Sequence, residues 1–164
     1  MSQPEWVRRK PAGRVGEETN GKLKLGDPVP AVTSTDQNGK AVSLAQAAQT
    51  GYTAVCFYPK GMTAGCTAQA CSLRDAYTAL QEKGVKVFAV SLDPVETQKQ
   101  FEQKEHLPFE LLSDTDRQVT SAFGVALFKN AFVTRQAYLF KDGKLVWLDP
   151  RCGGRSEMGL ILQI

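Results

Sequence analysis

Residues 52–71 read Y-T-A-V-C-F-Y-P-K-G-M-T-A-G-C-T-A-Q-A-C, and they predict a strand, a loop and a helix in succession. The run from Tyr52 to Tyr58 is apolar and aromatic, with the length and β-propensity of a buried strand. Proline and glycine then break the chain at positions 59, 61 and 65. Thr63 has the side chain of a helix cap, so the helix that follows places Cys66 in its first turn.

Cys66 and Cys71 are the residues of this stretch best suited to chemistry. In the first turn of a helix, unpaired backbone N–H groups and the positive end of the helix dipole favour thiolate over thiol. On a helix of about 3.6 residues per turn, Cys71 lies roughly 140° from Cys66, on the polar face. Cys66 itself lies within about 40° of the apolar line formed by Ala70, Leu73, Tyr77 and Leu80. We therefore expect Cys66 to face inward and Cys71 to face water.

The spacing of these two cysteines limits how they can react with each other. A disulfide needs Cα atoms within roughly 7 Å, whereas residues five apart on a regular helix are roughly 8–9 Å apart. A bond between Cys66 and Cys71 would therefore require the first turns to unwind, as in a pair that forms and breaks during a cycle. The spacing equally allows Cys71 to be an ordinary exposed helix residue.

Length and composition indicate one globular domain. The chain has 164 residues, of which 42% are hydrophobic and 23% charged, as in soluble globular proteins. Residues 1–24 contain six basic and three acidic side chains, which accounts for the net charge of +3. We expect residues 1–24 to be a flexible basic tail and residues 25–164 to be a single domain, with no role in nucleic-acid binding.

The location follows from what the sequence lacks. No apolar run has the length of a membrane span, and no apolar segment follows the N-terminal basic residues. We therefore expect no membrane association and a cytoplasmic location. In that compartment, four cysteines are more often catalytic, metal-binding or buried than joined in structural disulfides.

The elements before and after the central stretch predict a mixed sheet. Val85 to Ser91 is a nearly continuous apolar strand. With Tyr52 to Tyr58 and the intervening helix, which ends near Lys83-Gly84, it makes a parallel βαβ unit with a right-handed crossover. Asp142-Gly143 predicts an antiparallel hairpin at the end of the domain. The other predicted elements are a hairpin over Ala31–Val42 turned at Asn38-Gly39, a short helix over Leu44–Gln49, a short strand over Phe109–Leu112, a helix over Asp116–Phe123, and strands over Phe132–Phe140 and Lys144–Leu148.

A further helix is predicted to start at Asp93-Pro94 and to run to about His106. Asp93 would be its cap, Pro94 its first residue, and Glu96 the third residue beyond the cap, an arrangement close to a capping box. We expect His106 to be exposed or to cap the end of this helix, with no chemical role.

Arg135 is the other candidate for a functional site. On a continuous strand, Val133, Arg135, Ala137 and Leu139 share one face, which places a guanidinium among apolar side chains. A buried arginine needs a partner, which could be a thiolate, an anionic substrate or a carboxylate in a structural ion pair. A zinc site is not favoured, since the chain has one histidine and Cys56, in the middle of a strand, is better interpreted as a small buried hydrophobic residue.

The central stretch resembles the active site of peroxiredoxins. P59-x-x-x-T63-x-x-C66 matches their pattern, and F-Y-P-K-x-M-T-x-G-C-T-x-x-A-C is similar to the peroxiredoxin Q subgroup, also called bacterioferritin comigratory protein. The likeness extends through S-L-D-P at 91–94, L-P-F-E-L-L-S-D at 107–114, F-G-V at 123–125 and R-Q-A-Y-L-F at 135–140. It covers roughly residues 25–148.

The resemblance implies an α/β, thioredoxin-like fold, in which helices flank a mixed central sheet that carries an added N-terminal β-hairpin. It also implies a thiol-dependent peroxidase for hydrogen peroxide or alkyl hydroperoxides, with no metal or organic cofactor. Cys66 would be the peroxidatic cysteine and Cys71 the resolving cysteine. Pro59 would shield the pocket from water, Thr63 would hydrogen-bond the peroxide, and Arg135 would polarise thiolate and peroxide.

The subgroup also implies that thioredoxin or a similar thiol reduces the disulfide, and that the protein is a monomer. Ala64 stands where the subgroup usually has proline. Only residues 149–164 follow Leu148, where the subgroup usually ends in an amphipathic helix, so we expect this segment to be either truncated or folded differently. Cys152 in that segment could compete with Cys71 or pair between chains. Two other functions stay open, a thioredoxin-type thiol–disulfide oxidoreductase, although the chain lacks C-x-x-C, and a non-catalytic redox-sensing domain.

Overall fold

The computed structural model describes residues 23–59, 71, 74, 77–128, 132–134 and 136–149. The predicted tail over residues 1–24 lies almost wholly outside this range, as does the segment that contains Cys152.

A mixed seven-stranded sheet organises the described residues, in the order β2-β1-β5-β4-β3-β8-β9, and β6 and β7 form a separate two-stranded sheet. The strands are β1 (Thr33–Asp36), β2 (Ala41–Ser43), β3 (Tyr52–Phe57), β4 (Val85–Ser91), β5 (Glu110–Ser113), β6 (Leu127–Phe128), β7 (Phe132–Val133), β8 (Gln136–Lys141) and β9 (Lys144–Asp149). Strands β3, β4 and β5 are parallel, while β1 and β8 join them antiparallel. The predicted parallel unit and both predicted hairpins are confirmed.

Helices cover both faces of the sheet. They are α1 (Leu44–Ala47), α2 (Val95–Glu105) and α3 (Gln118–Phe123), and residues 71, 74 and 77–82 are also helical. We call these last residues the Cys71 segment. It ends before Gly84, whose φ of 77° suits a residue without a side chain.

Two hydrophobic clusters fill the space between the sheet and its helices. Alternate residues of β3 point to opposite clusters, Ala54 and Cys56 to one, Val55 and Phe57 to the other. The first cluster includes Leu80 of the Cys71 segment, as the helical periodicity predicts. The second includes Phe123 of α3.

The predicted strand over Phe132–Phe140 is wrong as one continuous element. Phe132 and Val133 pair with β6 in the two-stranded sheet, and the ladder with β3 starts at Gln136. Thr134 donates its backbone N–H and its hydroxyl to the carbonyl of Ala126, at 3.0 Å each, which fixes the break. Single-strand alternation therefore does not hold across residues 133–136.

The break changes the expectation for the residues around Arg135. Val133 lies in the second cluster, whereas Ala137 and Leu139 lie in the first, on the other face of the sheet. Val133 therefore does not share a face with Ala137 and Leu139, contrary to the prediction. Arg135 itself lies outside the described residues.

The start of α2 also differs from the prediction. Pro94 is the N-cap and no side chain caps the helix, so Asp93 is not the cap. The Asp93 carboxylate instead accepts a hydrogen bond from the Ser91 hydroxyl at 2.8 Å. At the other end His106 is exposed, and it caps the helix in the left-handed conformation, with φ of 55°, which confirms its expected exposure and its position at the end of the helix.

Two carboxyl groups meet where β5 begins. Burial raises the pKa of Glu110, and the charge of Asp36 and a hydrogen bond with it raise that pKa further, against the opposing effect of Lys40. Asp36 is 3% exposed and its carboxylate also accepts the backbone N–H groups of Asn38 and Lys40, at 2.9 Å each. The ionised form of Glu110 is therefore disfavoured in the folded protein.

We expect Glu110→Gln to raise the midpoint of thermal unfolding at pH 7. Because the folded pKa of Glu110 is above the unfolded value, its stabilising contribution is full below the unfolded pKa and is lost as pH rises through the folded pKa. The gain over the wild type should therefore shrink as pH falls to about 4, near the ordinary pKa of glutamate. Calorimetry between these pH values measures the difference in unfolding midpoint. Glu82→Gln is the control, because Glu82 is exposed. An equal gain at both pH values would contradict this account.

Candidate functional site

The loop of the central stretch starts at the carboxyl edge of the parallel strands. β3 ends at Phe57, the backbone N–H of Tyr58 donates to the carbonyl of Val90 at 2.9 Å, and the half-buried Pro59 follows. In open α/β sheets, ligands bind outside the carboxyl ends of the strands. Pro59 thus lies where such a sheet usually forms its site.

Tyr58 anchors this end of β3 to α2. Its hydroxyl is hydrogen-bonded to the side-chain oxygen of Gln98, and its ring centroid lies 5.9 Å from that of Phe101. The amide nitrogen of Gln98 in turn donates to the carbonyl of Leu112 at 2.8 Å. Gln98 is fully buried, so breaking this chain of bonds would leave polar atoms unsatisfied in the core. The residue before Pro59 is therefore held in place from two neighbouring elements.

Asp114, a buried acid at the same edge, has a structural role. Its carboxylate accepts the backbone N–H groups of Val119 and Thr120 at 3.0 and 2.8 Å and the Thr120 hydroxyl at 2.6 Å. Burial raises the pKa of Asp114, and these hydrogen bonds oppose that rise. The carboxylate thus fixes the start of α3. Among the residues that the structure describes, no group of three His, Cys, Asp or Glu side chains could hold a metal ion.

The helical wheel predicted that Cys71 faces water, but the structure places it against another helix. It is half-buried, and its Sγ donates to Oε1 of Glu105 at 3.4 Å. Arg74, one turn further along, donates from Nη1 to the backbone carbonyl of Glu105 at 2.7 Å. The last turn of α2 therefore packs against the face of the Cys71 segment that was predicted to be exposed to solvent.

Two of the five predicted site residues are described, Pro59 and Cys71. Cys66, Thr63 and Arg135 lie outside the described residues, so their predicted roles stay predictions. Cys56 is 1% exposed in the middle of β3, opposite Ala89 and Ala137, which confirms it as a small buried residue. Glu105 is the residue that sequence reasoning missed, because its contact with Cys71 joins positions 34 apart.

In the described part of the chain, no helix is both long and apolar enough to cross a membrane.

Comparison with known proteins gives consistent matches. The AhpC/TSA family matches residues 25–148. Peroxiredoxin Bcp of Escherichia coli (strain K12) is 48% identical over 103 residues, which cover 63% of this chain and 65% of the relative. The chloroplastic peroxiredoxin Q of Suaeda salsa is 37% identical over 150 residues, covering 90% of this chain and 67% of the relative. The chain thus spans less than two thirds of the length of the bacterial relative.

Solved structures share the fold. Peroxidoxin BcpB of Mycobacterium tuberculosis superposes with a TM-score of 0.78 at 28% identity, covering 85% of this chain and 94% of that one. A peroxiredoxin Q of Xanthomonas campestris gives a TM-score of 0.77 at 23% identity, covering 87% and 95% of the two chains. These likenesses confirm the expected α/β, thioredoxin-like fold with its mixed sheet.

Proposed function

The chain belongs to the AhpC/TSA family, and on that premise we propose that it is a peroxiredoxin, a thiol-dependent peroxidase that reduces hydrogen peroxide, alkyl hydroperoxides or both. The observation that carries the proposal is the family match over residues 25–148, which includes the complete P59-x-x-x-T63-x-x-C66 pattern. The fold supports the proposal through the position of Pro59, the first residue of the pattern, at the carboxyl edge of β3.

In the proposed first step, the Cys66 thiolate attacks one oxygen of the peroxide. The O–O bond breaks, Cys66 becomes a sulfenic acid, and the leaving oxygen takes a proton to become water or an alcohol. Thr63, Arg135 and backbone N–H groups at the start of the helix stabilise the charge that moves onto the leaving oxygen. Pro59 excludes water from the pocket, which strengthens these interactions.

In the proposed second step, Cys71 condenses with the sulfenic acid to form a disulfide and water. This protects Cys66 from further oxidation to sulfinic acid. The half-buried, helical Cys71 supports a resolving role that requires local unwinding, because a regular helix keeps residues five apart beyond disulfide distance. Thioredoxin or a similar thiol then reduces the disulfide by exchange.

The remaining parts of the proposal concern the whole protein. We infer a flexible basic tail over residues 1–24, a single domain over residues 25–164, a monomer and a cytoplasmic location. Charge and composition support the tail and the single domain, the absence of a long apolar run supports the location, and the resemblance to the peroxiredoxin Q subgroup supports the monomer.

The test is peroxide consumption by the fully reduced protein without any added reductant. The proposal predicts that one equivalent of hydrogen peroxide is consumed per chain, together with the loss of two thiols. A protein that consumes no peroxide, yet exchanges its thiols with a protein disulfide, would be a thioredoxin-type oxidoreductase and would contradict the proposal.

A further inference from the structure

Among the described residues of the Cys71 segment, Cys71 and Arg74 both contact Glu105 at the end of α2. Glu105 is contacted twice from that segment, at its carboxylate by the Cys71 thiol at 3.4 Å and at its carbonyl by the Arg74 guanidinium at 2.7 Å. Both contacts bridge positions more than thirty apart in the chain, at separations of 34 and 31. They therefore hold the Cys71 segment against α2, a tertiary contact that the helix propensity of the segment alone does not provide.

The Glu105 carboxylate also affects the chemistry of the thiol. A negative charge beside a thiol disfavours its ionisation, and the thiolate is the form that attacks sulfur. An acceptor at Oε1 further stabilises the protonated thiol through its S–H. In this contact Cys71 is therefore held as the less nucleophilic form.

The same contact opposes the movement that a disulfide requires. Residues five apart on a helix lie roughly 8–9 Å apart, beyond the roughly 7 Å that a disulfide allows. Cys71 is helical and half-buried. On the helix that the sequence predicts from Cys66 onward, Cys71 reaches position 66 only if that helix opens locally. Opening at Cys71 breaks the bond to Glu105, and opening through the next turn also breaks the bond from Arg74.

We propose that Glu105 is a positioning residue that slows disulfide formation, by holding Cys71 as a protonated thiol against α2 until the Cys71 segment opens. The inference rests on the proposed function, in which Cys66 is a sulfenic acid at this point. In the step that Glu105 slows, the S–H bond of Cys71 and the S–O bond of Cys66 break and an S–S bond forms. The thiol proton leaves with the hydroxyl as water, and the sulfenic acid supplies both oxidising equivalents.

The consequence is a longer-lived sulfenic acid at Cys66. A second peroxide molecule then has more time to oxidise that sulfenic acid to sulfinic acid, which thiol reductants do not reverse. Glu105 thus sets how much peroxide the enzyme tolerates before it is inactivated.

The test measures the two steps separately in single-turnover time courses. Reduced wild type, Glu105→Gln and Glu105→Ala each receive one equivalent of hydrogen peroxide, and acid-quenched samples are mapped by mass spectrometry for dimedone-trapped sulfenic acid and for the Cys66–Cys71 disulfide. Glutamine keeps the size and the acceptor but removes the charge, whereas alanine removes both. Glu96→Gln is the matched control, because Glu96 is an exposed acid of the same helix.

We expect sulfenic acid to form at the wild-type rate in every variant. Disulfide formation should be about two- to threefold faster in Glu105→Gln and about tenfold faster in Glu105→Ala, as expected for the loss of one hydrogen bond to a charged acceptor. The fraction of sulfinic acid at excess peroxide should fall in the same order. The control should match the wild type in all three measurements.

Disulfide formation at an unchanged rate would overturn the inference, and slower formation would instead make Glu105 the base that takes the thiol proton. If wild-type Cys66 forms no sulfenic acid, the proposed function fails, and labelling of Cys71 by iodoacetamide in the reduced protein then decides about Glu105. Faster labelling in both Glu105 variants than in the control supports the positioning role, and equal labelling overturns it.

Discussion

Replacing Cys66 with serine is expected to reduce peroxide turnover by at least about a thousandfold, because a hydroxyl is a far weaker nucleophile than a thiolate at neutral pH. No other residue in the proposed cycle can form the covalent intermediate. Peroxide consumption coupled to a thioredoxin system measures the loss. Turnover within tenfold of the wild type would mean that another thiol carries the reaction.

Cys56→Ala is the control for this substitution. Cys56 is 1% exposed in β3 and lies opposite alanines on both neighbouring strands, so alanine fits its position. Turnover should stay at the wild-type level, with a loss of about 1 kcal/mol in the free energy of unfolding from the small cavity. A large loss of turnover in Cys56→Ala would mean that peroxidase activity depends on the stability of the sheet and not on the Cys66 thiol alone.

Phe123→Ala is expected to cost about 3–5 kcal/mol in the free energy of unfolding, the usual cost of removing a buried phenylalanine. Phe123 is 0% exposed at the end of α3. Its ring centroid lies 5.3 Å from that of Phe57, 5.0 Å from that of Tyr138 and 6.0 Å from that of Phe140, each in an edge-to-face arrangement. The loss is a large part of the 5–15 kcal/mol that stabilises a typical domain, and urea unfolding monitored by circular dichroism measures it.

Leu25→Ala is the matched control for the aromatic cluster. Leu25 is a large hydrophobic residue that is 46% exposed, so its truncation should change the free energy of unfolding by no more than about 0.5 kcal/mol. A loss of under about 1 kcal/mol for Phe123→Ala would mean that the cluster repacks around the cavity, contrary to a core held by these rings.

The parallel centre of the sheet could be predicted from the sequence because it depends on local patterns. β3 and β4 are predominantly apolar runs. The connection between β8 and β9 carries Asp142-Gly143, whose φ values of 50° and 82° suit a two-residue hairpin. Helical periodicity also placed Leu80 correctly in the core.

The parts that could not be predicted depend on partners distant in sequence. The alternation around residue 135 did not show that Phe132 and Val133 pair with another strand, so the break in the predicted strand was missed. The helical wheel predicted that Cys71 faces solvent, because a wheel represents one helix and shows nothing of the helices that pack against it. The carboxylate that binds its thiol comes from the far end of α2, at Glu105.

The central claim is that Cys66 reacts with peroxide and that Cys71 resolves the product. Peptide mapping by mass spectrometry, after fully reduced protein reacts with one equivalent of hydrogen peroxide, tests it most directly. The account predicts a Cys66–Cys71 crosslink within one chain. A Cys66–Cys152 crosslink, or oxidation of Cys66 without any crosslink, would contradict the role of Cys71, and an unmodified Cys66 would contradict the whole cycle.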